Sequence, residues 1–327
     1  MAPLAVNGST PITHVPMIMT HDAGTGYLND GYRWWKTQPV GLSQQLECGA
    51  RAFDARPLLQ DGTLVWHHGS VAVNYTFAQS LDDVLGWLGD HPTELAVLSV
   101  WDCEGDDCLA GVRSAFAARN ITDISTCGTL AGLTLAGARE LGALRGGGAL
   151  LGVTGLGRPD GAACSEGNYD PTIACTGPGF GCWTTDKSRE QPLGKMLSYL
   201  DAVAARPLPP TAFTQSQALW QESSDSVVIG TLRNSSLLLD EARSGLNALL
   251  ARQVRARRWR HLNLLEVNNV CDGGPELWAA IQEVYYGAGD AAARTVAAVG
   301  VDGWRGTGRR GARRGTVVVE AERGSSA

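Results

Sequence analysis

Charge is scarce in this sequence. Only 18% of the 327 residues are Asp, Glu, Lys or Arg, and the balance is −6. There is no basic excess to neutralise a phosphate backbone, which argues against nucleic acid as a partner. No run of eighteen apolar residues occurs, so no transmembrane helix is expected. The opening residues, MAPLAVNGSTPITHVP, lack a charged segment followed by an apolar core, so no signal peptide is visible. No internal repeat is apparent.

Hydrophobic residues are plentiful at 44%, enough for a large core in one domain of this length. Cysteine is plentiful too: Cys48, Cys103, Cys108, Cys127, Cys164, Cys175, Cys182 and Cys271. Sequons begin at Asn7, Asn74, Asn120 and Asn234. An even cysteine count with several sequons favours an oxidising, secreted setting, against the alternative of buried thiols and chance sequons. Cys103 to Cys108 reads as a small disulfide loop rather than a metal site, because no histidine or further cysteine lies near it.

Short apolar runs alternate with helical spacing. Strands are expected at Pro16–Thr20, Ala50–Arg56, Thr63–Trp66, Glu94–Trp101, Ala149–Thr154, Thr211–Leu219 and His261–Asn268. Helices are expected at Gly41–Cys48, Ser80–Asp90 with Ser80 as its cap, Asp107–Arg119, Gln191–Ala205, Ser236–Arg258 and Pro275–Tyr286. Leu156–Asp186, rich in glycine, reads as a long disulfide-braced loop. Gly303–Ala327, rich in Gly and Arg, reads as a disordered tail after a single domain over 1–302. The alternation predicts an α/β fold with a parallel sheet, either an irregular (β/α) barrel of TIM type or an open doubly wound sheet.

The chemistry-bearing residues stand at predicted strand ends, which in a barrel face the active site. His21 and Asp22 follow the first strand. Asp54 and Arg56 end the second and share one face of it, either lining a functional cavity or forming a structural ion pair. His67 and His68 end the next extended segment, with His67 on the structural side. Two imidazoles able to trade a proton, beside a guanidinium able to hold a phosphate, suit phosphodiester cleavage.

Thr20-His-Asp-Ala-Gly-Thr25, Ala50-Arg-Ala-Phe-Asp-Ala-Arg56, His67-His-Gly69 and His91-Pro-Thr-Glu94 occur in an order and spacing that resemble the bacterial-type branch of the phosphatidylinositol-specific phospholipase C X-domain family. The match covers about residues 12 to 102. The resemblance implies a (β/α) barrel acting on a phospholipid or other phosphodiester. It makes His21 the general base, His68 the general acid, Arg56 the phosphate-stabilising cation, Asp22 the carboxylate orienting the acid and Asp54 a supporting carboxylate. The base-orienting position falls on Asn268, with Glu266 as the alternative on the same face. Trp101 stands where relatives hold a lysine contacting substrate. Metal-using relatives carry a second acid where this chain has Arg56, so no catalytic metal and no cofactor are expected. Trp34 and Trp35 either dip into a bilayer interface or pack over the barrel mouth. The basic run RQVRARRWR is either a solvated helix end or an anionic-lipid contact. Activity on another lipid or glycerol-type head group, or a catalytically weak head-group binding domain, are the alternative readings.

Overall fold

The computed structural model describes residues 5–155, 164–168, 174–175, 191–222 and 224–287. The elements run β1 (Met17–Thr20), α1 (Leu42–Glu47), β2 (Ala50–Ala55), β3 (Pro57–Gln60), β4 (Thr63–His68), β5 (Val71–Thr76), α2 (Phe77–Asp90), β6 (Leu95–Val100), α3 (Cys108–Ala117) and β7 (Thr122–Ile124). They continue α4 (Leu135–Leu141), β8 (Ala149–Val153), β9 (Ser165–Asn168), β10 (Ala174–Cys175), α5 (Gln191–Ala204), β11 (Phe213–Gln217), β12 (Gln221–Glu222), α6 (Ser224–Leu232), α7 (Leu237–Ser244), α8 (Leu246–Arg255), β13 (Leu264–Val267) and α9 (Gly274–Ile281).

Eight strands form one parallel sheet in the order β7-β8-β6-β2-β1-β13-β11-β9, curled into a TIM-type barrel. Strands β1, β2, β6, β8 and β13 are buried along their whole length. Helices cover one face and the barrel interior the other, which favours near-continuous apolar runs such as β6 and β8, while Arg51 and Asp54 interrupt β2 and Glu266 interrupts β13. On α2, Phe77, Leu81, Val84 and Leu88 recur at helical spacing and are fully buried. The ends of the sheet order, β7 and β9, are bridged covalently by Cys127–Cys164. Cys103–Cys108 closes the small loop expected from sequence, and Cys48–Cys271 ties the end of α1 to the segment after β13.

Several sequence-based expectations need correction. Helix α2 starts three residues before Ser80. Thr76 caps it through a reciprocal box with Gln79, and Ser80 is buried, bonding Trp66 and the Phe77 carbonyl. The helix expected over Ser236–Arg258 is two helices. Gly245 adopts φ +60°, ending α7 and starting α8. Strand β4 is outside the barrel. It forms an antiparallel three-stranded sheet with β3 and β5, inserted between β2 and α2. The glycine-rich stretch read as loop contains β9, a barrel strand pairing β11. Most of that stretch, Cys182 and the tail 303–327 lie outside the described residues.

The basic run past α8 is largely engaged within the fold. Arg258 makes a forked pair with Asp201, Arg255 pairs with Glu276 and Glu283, and Trp259 is buried.

Candidate active site

Strand register places the site. Met19 pairs with Glu266, and Asp54 pairs with Ser99. In a parallel sheet paired residues share a face, and so do residues two apart. Asp54, Arg56, Glu266, Asn268, His21 and Trp101 therefore converge at the C-terminal mouth.

Beyond β1 the chain turns sharply. Asp22 takes a left-handed conformation with φ +45°, which aspartate tolerates better than most residues. Its backbone N–H donates to Asp54 Oδ2 at 2.9 Å. Gly24 is needed in the next turn for close approach, because a Cβ there would lie 2.3 Å from the Trp66 ring. Thr37 and Gln38 lock this corner from a loop. Thr37 Oγ1 and Gln38 Nε2 both donate to the His21 carbonyl, and Gln38 also donates to the Val267 carbonyl.

Arg56 sits between two fully buried carboxylates. Its Nε is 2.8 Å from Asp22 Oδ1, and its terminal nitrogen is 2.9 Å from Asp54 Oδ2. Burial opposes the guanidinium's charge, but Asp54 and Asp22 outweigh it and raise the pKa further. The Asp54–Arg56 pairing alternative is thus met within the cluster itself: the ion pair exists and it lines the mouth.

The two histidines face each other across Asp22. Their ring centroids are 6.3 Å apart, and each Nε2 lies 3.4 Å from the same Asp22 Oδ2. Asp22 therefore stands equally close to both rings, whereas the sequence reading tied it to His68 alone. Each Nδ1 meets a carbonyl oxygen: His21 meets Asn268 Oδ1 at 2.9 Å, and His68 meets the Trp35 backbone carbonyl at 2.7 Å. A carbonyl only accepts, so both rings carry Nδ1–H, and both Nε2 atoms are left to face the cavity. Burial pushes the His21 pKa below its ordinary value, with Asp22 opposing that shift and Arg56 reinforcing it. A neutral imidazole with a free Nε2 is a competent base.

The remaining candidates fall as follows. Asn268, rather than Glu266, bonds His21. Glu266 is fully buried beneath Arg56. Its pKa is raised by desolvation and by Asp54, with Arg56 opposing. His67 is buried, its ring nitrogens bonded to the carbonyls of Gly69 and Asp102. Trp101 packs over Gly167, where a Cβ would lie 2.9 Å from its ring. Its buried indole N–H has no acceptor among the described residues. Thr154, just past β8, accepts from Arg113 Nε and donates to Asp123. Trp34 packs on Gly230 of α6 and donates to Thr231 Oγ1, while Trp35 is 43% exposed.

Donor atoms of His21, Asp22 and Asp54 lie within 4.8 Å of one another, close enough to surround a cation. Arg56 already supplies positive charge to both carboxylates. A divalent ion there would face a fixed guanidinium, so the donor set fits a metal poorly.

Sequence reasoning missed Thr37, Gln38 and Glu241. Asn268 Nδ2 donates to Glu241 Oε1 at 3.0 Å, and the Trp220 backbone N–H donates to the same oxygen. These residues come from a loop and a helix distant in sequence, and no periodicity or spacing marks them.

No family model matches the chain. Among solved structures it is similar to phosphatidylinositol-specific phospholipase C from Staphylococcus aureus, with TM-score 0.56 and 17% identity over 84% of this chain and 95% of that one. It is also similar to the phosphatidylinositol-specific phospholipase C from Listeria monocytogenes, with TM-score 0.54 and 14% identity over 84% of this chain and 96% of that one. At such identities the likeness is one of fold, and the fold shared is the parallel barrel described above.

Proposed function

We propose that this chain is a metal-independent phosphodiesterase of the phospholipase C type, acting on a phosphoinositide-type lipid or a related phosphodiester. The observation that carries this reading is the pair of imidazole Nε2 atoms flanking Asp22 beside the Arg56 guanidinium. His21 Nε2 takes the proton of a substrate hydroxyl as that oxygen bonds to phosphorus. The P–O bond to the leaving alcohol breaks, and His68, entering the step as the imidazolium, gives that oxygen its Nε2 proton and keeps Nδ1–H on the Trp35 carbonyl. Arg56 neutralises the charge growing on the non-bridging oxygens, a role a metal fills in other enzymes. Asp22 and Asp54 hold Arg56 in place, and Asp22 balances the positive charge passing between the rings. Trp101, on the same face as Arg56, lines the head-group side of the mouth.

The mouth carries an apolar rim suited to a lipid surface. Tyr32, Trp35, Val228, Leu232 and Leu239 are all exposed. The Trp34 contact to α6, and the bond from Leu237 N–H to the Arg33 carbonyl, bring their segments together. Exposed aromatics favour the bilayer interface. Trp35→Ser should weaken sedimentation with phospholipid vesicles while sparing turnover of a water-soluble phosphodiester. Equal vesicle binding by the two proteins would remove the rim from the proposal. Three disulfides among the described residues and four exposed sequon asparagines suit a secreted protein.

The deciding experiment is an assay over a panel of lipid and water-soluble phosphodiesters, with and without chelator. Turnover should survive chelation. Loss in chelator restored by calcium or magnesium would sink the metal-free mechanism. Head-group binding without turnover would favour a binding domain.

A further inference from the structure

An asparagine beside a base histidine is ambiguous in a way that an aspartate is not. A carboxylate can only accept, so it enforces Nδ1–H on its imidazole partner. An amide has a donor end and an acceptor end of nearly equal shape. If its NH2 faced the ring, Nδ1 would become the acceptor, the proton would move to Nε2, and the base would be lost. Something must choose the orientation of Asn268.

We propose that Glu241 is a positioning residue for the base: it holds the Asn268 amide so that its carbonyl oxygen faces His21, and so keeps the ring in the Nδ1–H tautomer with Nε2 free. This inference rests on the phosphodiesterase reading for the role of His21, but the geometry stands without it.

The relay is continuous and buried. Glu241 Oε1 accepts from Asn268 Nδ2 at 3.0 Å, and Asn268 Oδ1 lies 2.9 Å from His21 Nδ1. Asn268 is 1% exposed and Glu241 4%. The backbone N–H of Trp220 donates to the same Glu241 oxygen at 3.0 Å, which commits that oxygen to accepting. Only the NH2 end of Asn268 can satisfy it, because two acceptors facing each other in a buried site would each go unpaired. The backbone of Asn268 is fixed as well. Asn247 Nδ2 donates to the carbonyls of Asn268, Asn269 and Asp272. Burial raises the Glu241 carboxyl to about 8, with the Trp220 and Asn268 bonds opposing that shift. As the carboxylate, or as the acid with its proton on Oε2, the group offers Oε1 as an acceptor, so the relay holds in both charge states with the proton on Oε2.

The test reads the tautomer directly. Long-range 1H–15N spectra of imidazole-labelled protein, recorded without substrate, should show His21 as Nδ1–H. Glu241→Ala should shift it toward Nε2–H, and Glu241→Gln, which keeps an acceptor oxygen, should not. Adding Asn268→Asp to Glu241→Ala should restore Nδ1–H, because a carboxylate needs no partner to choose its orientation. A purely structural role for Glu241 would not be rescued this way.

In turnover, Glu241→Ala should lower kcat by roughly 10²-fold with KM little changed, less than the ~10⁴-fold loss when a triad histidine is fully trapped in the wrong tautomer. An unchanged tautomer in Glu241→Ala, or no restoration by Asn268→Asp, overturns the proposal. So does Nε2–H in the unmodified protein, a reading that requires no variant to fold. The spectra are free of substrate, so a protein that turns over no phosphodiester but shows these shifts would refute the function and keep the relay.

Discussion

A guanidinium held between Asp54 and Asp22 cannot be exchanged for an ammonium without losing geometry. Arg56 Nε lies between the two carboxylates, 2.8 Å from Asp22 Oδ1 and 3.0 Å from Asp54 Oδ2, and a terminal nitrogen also reaches Asp54. Its contacts to phosphate should strengthen as charge builds in the transition state, so their loss belongs in kcat. Arg56→Lys should therefore cost on the order of 10²-fold or more in kcat, by comparison with removing one oxyanion donor. Trp101→Lys changes only the wall above Gly167 and should leave the chemical step intact on an aryl phosphodiester. Steady-state kinetics of both variants on phosphatidylinositol and on that aryl substrate decide the matter. Near-normal turnover by Arg56→Lys on both would show that Arg56 does not stabilise the phosphate. The residues in this prediction were legible in the sequence because they sit in short motifs at strand ends. Gln38, Asn247 and Glu241 were not. Each acts through hydrogen bonds to groups made neighbours only by the fold, and a lone amide or acid in a loop or helix resembles any other.

Elements were legible where local pattern and tertiary role agreed. The buried parallel strands β6 and β8 announce themselves as apolar runs, and α2 through its spacing. Legibility failed where packing overrides pattern. Gly245 looks like a tolerated helix glycine until its φ of +60° shows a break, and β9, reading Ser-Glu-Gly-Asn, has no apolar run at all. Its place beside β11 is fixed by pairing and by the adjacent Cys127–Cys164 bond. Eight cysteines alone leave the pairing open. That bond spans 37 residues, against 5 for Cys103–Cys108. The chain-entropy picture gives roughly 4 kcal/mol for the longer loop and about 2 kcal/mol for the shorter. Replacing Cys127 and Cys164 together by alanine should lower the urea midpoint more than replacing Cys103 and Cys108. The reverse order would mean that the β7 and β9 edges hold without their covalent bridge.

At the scale of the whole molecule, the buried titratable groups give stability a direction in pH. Glu241 keeps its proton in the folded protein up to about 8, while an ordinary glutamate loses it near 4.5. Glu266 is shifted the same way, by desolvation and by Asp54. Between those pH values the folded state binds more protons than the unfolded chain, so stability falls as pH rises. The contribution is whole below about 4.5 and is lost on the way to about 8. His21 acts in the opposite sense. Its folded pKa lies below 6.5, so as pH falls beneath 6.5 the unfolded chain takes up a proton that the folded site resists, which on its own lowers stability. Between 4.5 and 6.5 the two carboxyls outweigh the one histidine, so on these groups stability still rises, more gently, as pH falls toward about 4.5. Urea midpoints measured from pH 5 to 9 should therefore decline from about pH 6.5 toward 8 rather than stay level, taking the limits from these folded and unfolded values. Glu266→Gln removes one of the two groups responsible and should flatten that decline, gaining most on the parent near pH 8. A parent whose midpoint is flat or rising from pH 6.5 to 8 would mean that neither carboxyl is protonated in the fold, and that the barrel interior under Arg56 carries more negative charge than its burial allows.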